Sequence, residues 1–187
     1  EAMKSIGRTW KNWFEIQIDR RKKWVEDWEK HLFEEASKDA RLKRKMHPLQ
    51  LGVDIISEMN DDDWLVFDGG NTHFWNEIAV NMSGWRGKKL GGIMHPGNYS
   101  LLGVGISFGV SAKAAHPDKN VVVISGDGAF LSGGLSVESA FQEGLPIVVV
   151  IDNNGGLDCI SQQQERLFSN GKHYATDFRD IPFHTMF

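Results

Sequence analysis

A doubly wound parallel α/β sheet with helices on both faces, preceded by a long N-terminal connector helix, is the fold class this sequence predicts. Three observations point to it. Two segments, Asn120–Ser125 (NVVVIS) and Pro146–Asp152 (PIVVVID), are apolar on both faces, as strands covered by helices on each side must be. Helical patterns alternate with strand patterns from His47 onward. Before them, residues 8–44 contain neither Pro nor Gly, and Trp10, Phe14, Ile18, Val25, Trp28 and Leu32 recur at helical spacing.

Charge divides the chain in two. Residues 1–45 carry 13 Lys/Arg and 9 Asp/Glu, whereas residues 46–187 carry 8 and 16. The expected domains are therefore a helical connector over 1–45 and an α/β domain over 46–187. The connector holds four of the seven Trp, and its apolar stripe is expected to dock on another domain, since a lone helix buries nothing. The basic run Arg41–Lys45 reads as a solvated helix end with cations near the negative pole of the dipole. Beyond it, Pro48 suits the first turn of a helix reaching about Met59. Trp64–Asp68 (WLVFD) is a strand ending in the Gly69-Gly70 turn. Residues 72–82 read as a helix, 89–94 as a short strand, 102–115 as a buried helix and 134–143 as a further helix. No closing strand and helix follow Asp180-Ile181-Pro182, so the expectation is a piece of a longer protein, truncated within its α/β domain.

Bulk properties exclude several roles. A net charge of −4 gives no bias toward nucleic acid or anionic membranes. No apolar stretch reaches the roughly 18 residues of a membrane helix, and no signal-peptide pattern opens the chain. The single cysteine, Cys159, rules out an intrachain disulfide and a cysteine zinc cluster. A reducing compartment, the cytoplasm, is the expected location.

The chemistry sits in Gly126-Asp127-Gly128, followed after 24 residues by Asn153-Asn154. Each half lies directly after a doubly apolar strand. A parallel sheet therefore puts Asp127 and Asn154 at the same edge, as neighbours. A carboxylate and an amide oxygen are hard ligands suited to Mg²⁺, which completes its octahedron with phosphate and water. The glycines let backbone N–H groups approach a phosphate, and the helix opening after Gly128 favours an anion at its N-terminus. The site asks for a divalent ion holding a phosphorylated ligand.

This pattern, continued as Asn-Asn-Gly-Gly, resembles the diphosphate-binding (PP) domain of the acetolactate synthase, 2-hydroxyacyl-CoA lyase and oxalyl-CoA decarboxylase family. The resemblance extends to Ser100-Leu-Leu-Gly-Val-Gly105, to Ala114-Ala-His-Pro-Asp118 and to the turn Gly70-Asn71-Thr72-His73-Phe74-Trp75. It implies thiamine diphosphate and Mg²⁺ as cofactors. It also implies that the Gly156 carbonyl joins Asp127 and Asn154 as the third protein oxygen on the metal. Backbone groups of Gly126, Gly128 and Ala129 would face the diphosphate, with Asn71 and Thr72 reaching it from the first turn and Leu157 beside it. Leu102 would support the bend between thiazolium and pyrimidine, and the Ser100 carbonyl would hold the 4′-amino group. The catalytic Glu of the family lies on a different, pyrimidine-binding domain, usually of a partner chain, and no position here matches it. Catalysis would thus need a second domain and a homo- or hetero-oligomer, with 2-oxo acids or acyl-CoA compounds as substrates.

Competing readings attach to several residues. Asn71 and Thr72 also suit an ordinary helix cap, and Leu102 also suits core packing. His73, His95 and His173 read as structural or surface groups, with His95 placed to meet a substrate as the alternative. Cys159 reads as a small buried apolar residue, Glu138 and Glu143 as solvent-facing, and Gln162–Gln164 as a polar loop or helix start. For the whole, a non-catalytic cofactor or assembly module is the rival to an enzyme. A dinucleotide-binding domain is disfavoured, because no Gly-x-Gly-x-x-Gly follows the first strand.

Overall fold

The computed structural model describes residues 10–38, 46–168 and 171–186. The Arg41–Lys45 run lies outside them. Four parallel strands, β1 (Trp64–Phe67), β2 (Gly92–Met94), β3 (Val121–Gly126) and β4 (Val148–Asp152), form one sheet in the order β2-β1-β3-β4. The helices are α1 (Trp10–Lys38), α2 (Pro48–Glu58), α3 (Asn71–Trp85), α4 (Gly105–Ala115), α5 (Asp127–Gly133), α6 (Val137–Gln142) and α7 (Asp158–Leu167).

The strand pattern sets the two faces. Leu65, Phe67 and Ile124 point to one side, into a core with Leu49, Val53 and Ile56 of α2 and Ile78, Ala79 and Met82 of α3. Val66, Val121 and Val123 point to the other, against Ile106 and Ala112 of α4 and Phe130 of α5. Full burial of each such side chain contributes about 1.5–3 kcal/mol, so both layers are needed to hold the sheet. The chain leaves β1 toward β2 over the first face and returns past β1 to β3 and β4 over the second. The strand order therefore reverses between β1 and β3, and the loops after them flank a crevice at the strands' carboxyl ends, where open α/β sheets bind ligands.

Several boundaries differ from the sequence reading. Helix α4 begins at Gly105 and not at Leu102, because Gly103 adopts φ +85° and its amide, with those of Val104 and Gly105, is held by the Asp68 carboxylate. The region after β3 starts helical at Asp127 and breaks into α5, a 3₁₀ turn over Gly134–Ser136 and α6. Gln162–Gln164 lie within α7 rather than in a loop.

Part of the α1 stripe packs on the α/β domain that follows it. Val25 is buried, Trp28 meets Trp75 edge-on at 5.9 Å, and Arg86 pairs with Glu29 at 2.7 Å. Trp13, Phe14 and Ile18, earlier on the helix, remain exposed. Among the described residues, no helix is long and apolar enough to cross a membrane.

Candidate cofactor site

Strands β3 and β4 pair in register through Gly126 and Asp152, which sets the loops after them side by side. Asp127 is buried, at 2% exposure. Its Oδ1 accepts the Gly128 N–H at 2.7 Å, and its Oδ2 accepts the N–H groups of Gly155 at 2.8 Å and Gly156 at 2.9 Å. The Gly156 N–H also donates to Asn154 Oδ1 at 3.2 Å. One backbone amide thus lies between the carboxylate and the amide oxygen, and the two side chains converge on it. The Gly128 N–H, expected to face a phosphate, is engaged here by its neighbour's carboxylate.

The Asn154 loop is braced from behind. Leu157 N–H donates to the Thr176 carbonyl and Phe178 N–H to the Gly155 carbonyl, each at 2.8 Å, around an antiparallel bridge between Gly156 and Asp177. Neither bond engages the Gly156 carbonyl. A Cβ on Gly156 would stand 2.3 Å from the Thr176 carbonyl, so only glycine allows this approach. Leu157 closes over Gly128, where an added Cβ would meet its Cδ2 at 2.6 Å. Thr176 is 2% exposed, and its hydroxyl has no hydrogen-bond partner among the described residues.

The β1 side completes the crevice. Thr72 is buried with its hydroxyl against Gly126, 2.9 Å from where a Cβ would lie. Asn71 Nδ2 donates to Asp158 Oδ2 at 2.6 Å, tying the first turn of α3 to that of α7. Ala129 is buried in the first turn of α5. Ser100 adopts a left-handed φ of +46°, and its hydroxyl accepts the Gly70 N–H at 2.8 Å. Its carbonyl packs so closely over Gly69 that a Cβ there would lie 2.2 Å away. Leu102 is 40% exposed in a loop at Gly70, so it is not the core helix residue of the alternative reading. Glu138 and Glu143 are exposed, and Cys159 is only half-buried rather than buried.

The residue that sequence reasoning missed is Asp68. Fully buried, it accepts Gly69, Gly103 and Gly105 N–H groups at 2.8–2.9 Å, Val104 N–H at 3.3 Å and the Ser125 hydroxyl at 3.1 Å. It caps α4 and joins the tips of β1 and β3. An acid directly after a doubly apolar strand and before Gly-Gly was the available signal.

His173 clamps the brace. Its Nδ1 lies 2.8 Å from Glu165 on α7 and its Nε2 3.0 Å from Asp177. The hydrogen bond to Asp177 raises its pKa above the ordinary 6.5, aided by the Asp177 charge and by Glu165, against a smaller lowering from burial. A raised folded-state pKa means that the ion pairs contribute fully below pH 6.5 and are lost as pH rises through the higher value. Protection of the Leu157 and Phe178 amides, measured relative to the intrinsic base-catalysed exchange rate at each pH, is expected to fall across that window, and His173→Gln to remove that fall. Protection that stays constant with pH in the unaltered protein would count against the clamp.

Asp127, Asn154 and the first turns of α3 and α7 thus gather at the carboxyl ends of a parallel α/β sheet. A cleft of about 600 Å³ between β4 and residues 180–184 is lined mainly by apolar side chains such as Phe130, Val149 and Ile151, with Asn153, the neighbour of Asn154, also on its wall. Residues 68–186 match the family model of the thiamine pyrophosphate enzyme C-terminal TPP-binding domain, and the chain belongs to that family. It is 32% identical over 111 residues to 2-hydroxyacyl-CoA lyase of Oryza sativa subsp. japonica, covering 59% of this chain and 18% of that protein. Over 123 residues it is 26% identical to the catabolic acetolactate synthase of Raoultella terrigena, covering 66% of this chain and 21% of the relative. Among solved structures it resembles the thiamine diphosphate-dependent 4-hydroxybenzoylformate decarboxylase of Rhodococcus jostii RHA1. That match has a TM-score of 0.59 and 27% identity, over 74% of this chain and 25% of the other. The chain therefore spans a quarter or less of these relatives.

Proposed function

We propose that this chain holds the diphosphate of thiamine diphosphate through Mg²⁺, within an enzyme that makes or breaks a C–C bond beside a carbonyl. The observation that carries this reading is the Gly156 amide shared by Asp127 Oδ2 and Asn154 Oδ1, which brings two hard oxygens together at neighbouring strand tips. The donor set fits Mg²⁺: one carboxylate, one amide oxygen and the Gly156 carbonyl, with phosphate and water to complete six positions. Charge supports it as well. Asp127 and Asp158 alone would repel a diphosphate, and a divalent ion between them and the ligand reverses that sign. The N-termini of α3 and α7, joined by Asn71 and Asp158, add favourable dipoles.

The cofactor, when bound, supplies carbanion stabilisation, and the protein supplies placement. Leu102 offers a half-exposed apolar support beside Gly70, and the Ser100 turn presents its carbonyl over Gly69. The base that relays protons is a Glu of a pyrimidine-binding domain, in the same or a partner chain, with residues 1–45 as the connector toward a preceding domain. Substrates are 2-hydroxyacyl-CoA compounds or 2-oxo acids. Carboligation of 2-oxo acids is the second reading, supported by the likeness to acetolactate synthase. The test is turnover of both substrate classes by the intact assembly, with and without Mg²⁺. Absence of any Mg²⁺-dependent turnover would favour a non-catalytic module.

Leu102→Gly is expected to lower kcat by roughly tenfold or more, since small misplacements at a reacting centre cost up to about 100-fold, while cofactor affinity changes little. Weaker binding with unchanged turnover per bound cofactor would remove Leu102 from its supporting role.

A further inference from the structure

A cluster on the β2 side of the crevice has chemistry that the diphosphate site does not use. His73 and Glu77 stand one turn apart on α3, with His73 Nε2 3.0 Å from Glu77 Oε1. His95, just after β2, brings a second imidazole, and the ring centroids of His73 and His95 lie 4.9 Å apart. One ligand atom from each of the three residues falls within 4.8 Å of the others. We propose that His73, Glu77 and His95 bind a divalent first-row transition ion of the zinc class, chemically distinct from the hard-oxygen pair at Asp127 and Asn154.

Four features support the assignment. Two imidazoles on one tetrahedral ion, at metal–nitrogen distances of about 2.0–2.1 Å, place their ring centroids about 5 Å apart, as these are. Imidazole nitrogen favours zinc, cobalt, nickel and copper over Mg²⁺, so the two sites select different ions. Both rings are already oriented. His95 stacks on the buried Phe67 at 5.0 Å with a 5° interplanar angle, and His73 Nδ1 lies 3.3 Å from the Ser100 hydroxyl. With Nε2 on a metal, Nδ1 carries the proton and donates it to Ser100 Oγ, the supporting bond that metal-binding histidines need. Finally, the His73 side chain is 10% exposed and that of Glu77 51% exposed, which leaves a side of the cluster open for a solvent or ligand atom. Two His, one Glu and an open position make the ligand set of a reactive rather than a purely structural zinc-type site.

The Ser100 hydroxyl also holds the Gly70 N–H. An ion on His73 therefore fixes the hydrogen-bond direction at the same hydroxyl that shapes the cofactor turn. Whichever His95 nitrogen ligates, its present contact with the Gly97 N–H, at 3.2 Å, must loosen.

The test is titration of the chelator-stripped intact assembly with Co²⁺, read by visible absorption, without Mg²⁺ or thiamine diphosphate. One Co²⁺ per chain with the spectrum of a low-coordinate nitrogen–oxygen site is expected. His95→Ala and the exposed Glu77→Gln should each weaken binding by at least about 100-fold, the upper end of what losing even a supporting partner costs. Asp127→Ala should leave it unchanged. Circular dichroism checks folding, and should His95→Ala misfold, Glu77→Gln decides alone. The proposal is overturned by absence of Co²⁺ binding, by unweakened binding in folded His95→Ala or Glu77→Gln, or by loss of binding in Asp127→Ala. None of these outcomes depends on thiamine diphosphate, so the fate of that reading is judged separately.

Discussion

Asp127→Ala is expected to abolish Mg²⁺-dependent retention of thiamine diphosphate by the intact assembly. The substitution removes the only charged oxygen of the proposed ligand set. It also releases the N–H groups of Gly128, Gly155 and Gly156, which order the Asn154 loop around that carboxylate. Loss of a supporting partner alone lowers metal affinity by about 10–100-fold; loss of a ligand and of its loop should exceed the upper figure. Asp127→Asn separates the two effects. Its amide oxygen still accepts one or more of those amides, so the loop is largely kept, while the charge that attracts the ion is gone. Both variants should elute free of cofactor after gel filtration in Mg²⁺, and the unaltered protein should release it only with a chelator. Cofactor retained in Asp127→Asn, with normal turnover, would move the metal elsewhere.

Asp68→Ala is expected to damage the fold rather than the chemistry. Five donors from the tip of β1, the start of α4 and the tip of β3 converge on this buried carboxylate. Removing one partner of such a buried charged network costs about 3–5 kcal/mol, a large share of the roughly 5–15 kcal/mol that holds a domain together. At this size the loss corresponds to a fall in Tm of roughly 6–20 °C. Asp68→Asn should lose less, because its amide oxygen keeps some of the bonds. A thermal melt of Asp68→Ala within 2 °C of the unaltered protein, about the effect of 1 kcal/mol, would show that water replaces the carboxylate without difficulty.

Much of the fold was legible because the central strands β1 and β3 are buried on both faces; β4, read as covered on both faces, is instead a half-buried edge strand with Val148 exposed. NVVVIS and PIVVVID have few other readings, and their order along the chain made the sheet parallel. The pairing of Asp127 with Asn154 followed from that order, since adjacent parallel strands must end side by side. What the residues concealed was conformational. Leu102 looks like the start of an apolar helix, and only the left-handed Ser100 and Gly103, with Asp68 binding the next amides, stop the helix short. Asp68 itself looked like an ordinary strand end, because its five donors come from segments up to 57 residues away. The α1 stripe left a different point open. Periodicity shows which side of a helix is apolar but not what covers it, and here Trp75 of α3 covers part of it.

The strand order also leaves the molecule with two unlike rims. The proposed cofactor residues gather where the strands end, whereas the entrances to β1 and β3 are flanked by Asp61, Asp62, Lys88, Lys89, Asp118 and Lys119, with the ion pairs Lys88–Asp61 and Lys119–Asp62 among them. A dye, spin label or surface tether attached at Lys89 or Asp118 would sit a full strand length from the chemistry. That rim is the natural handle for immobilising the protein or following its assembly while the opposite end stays open to ligands.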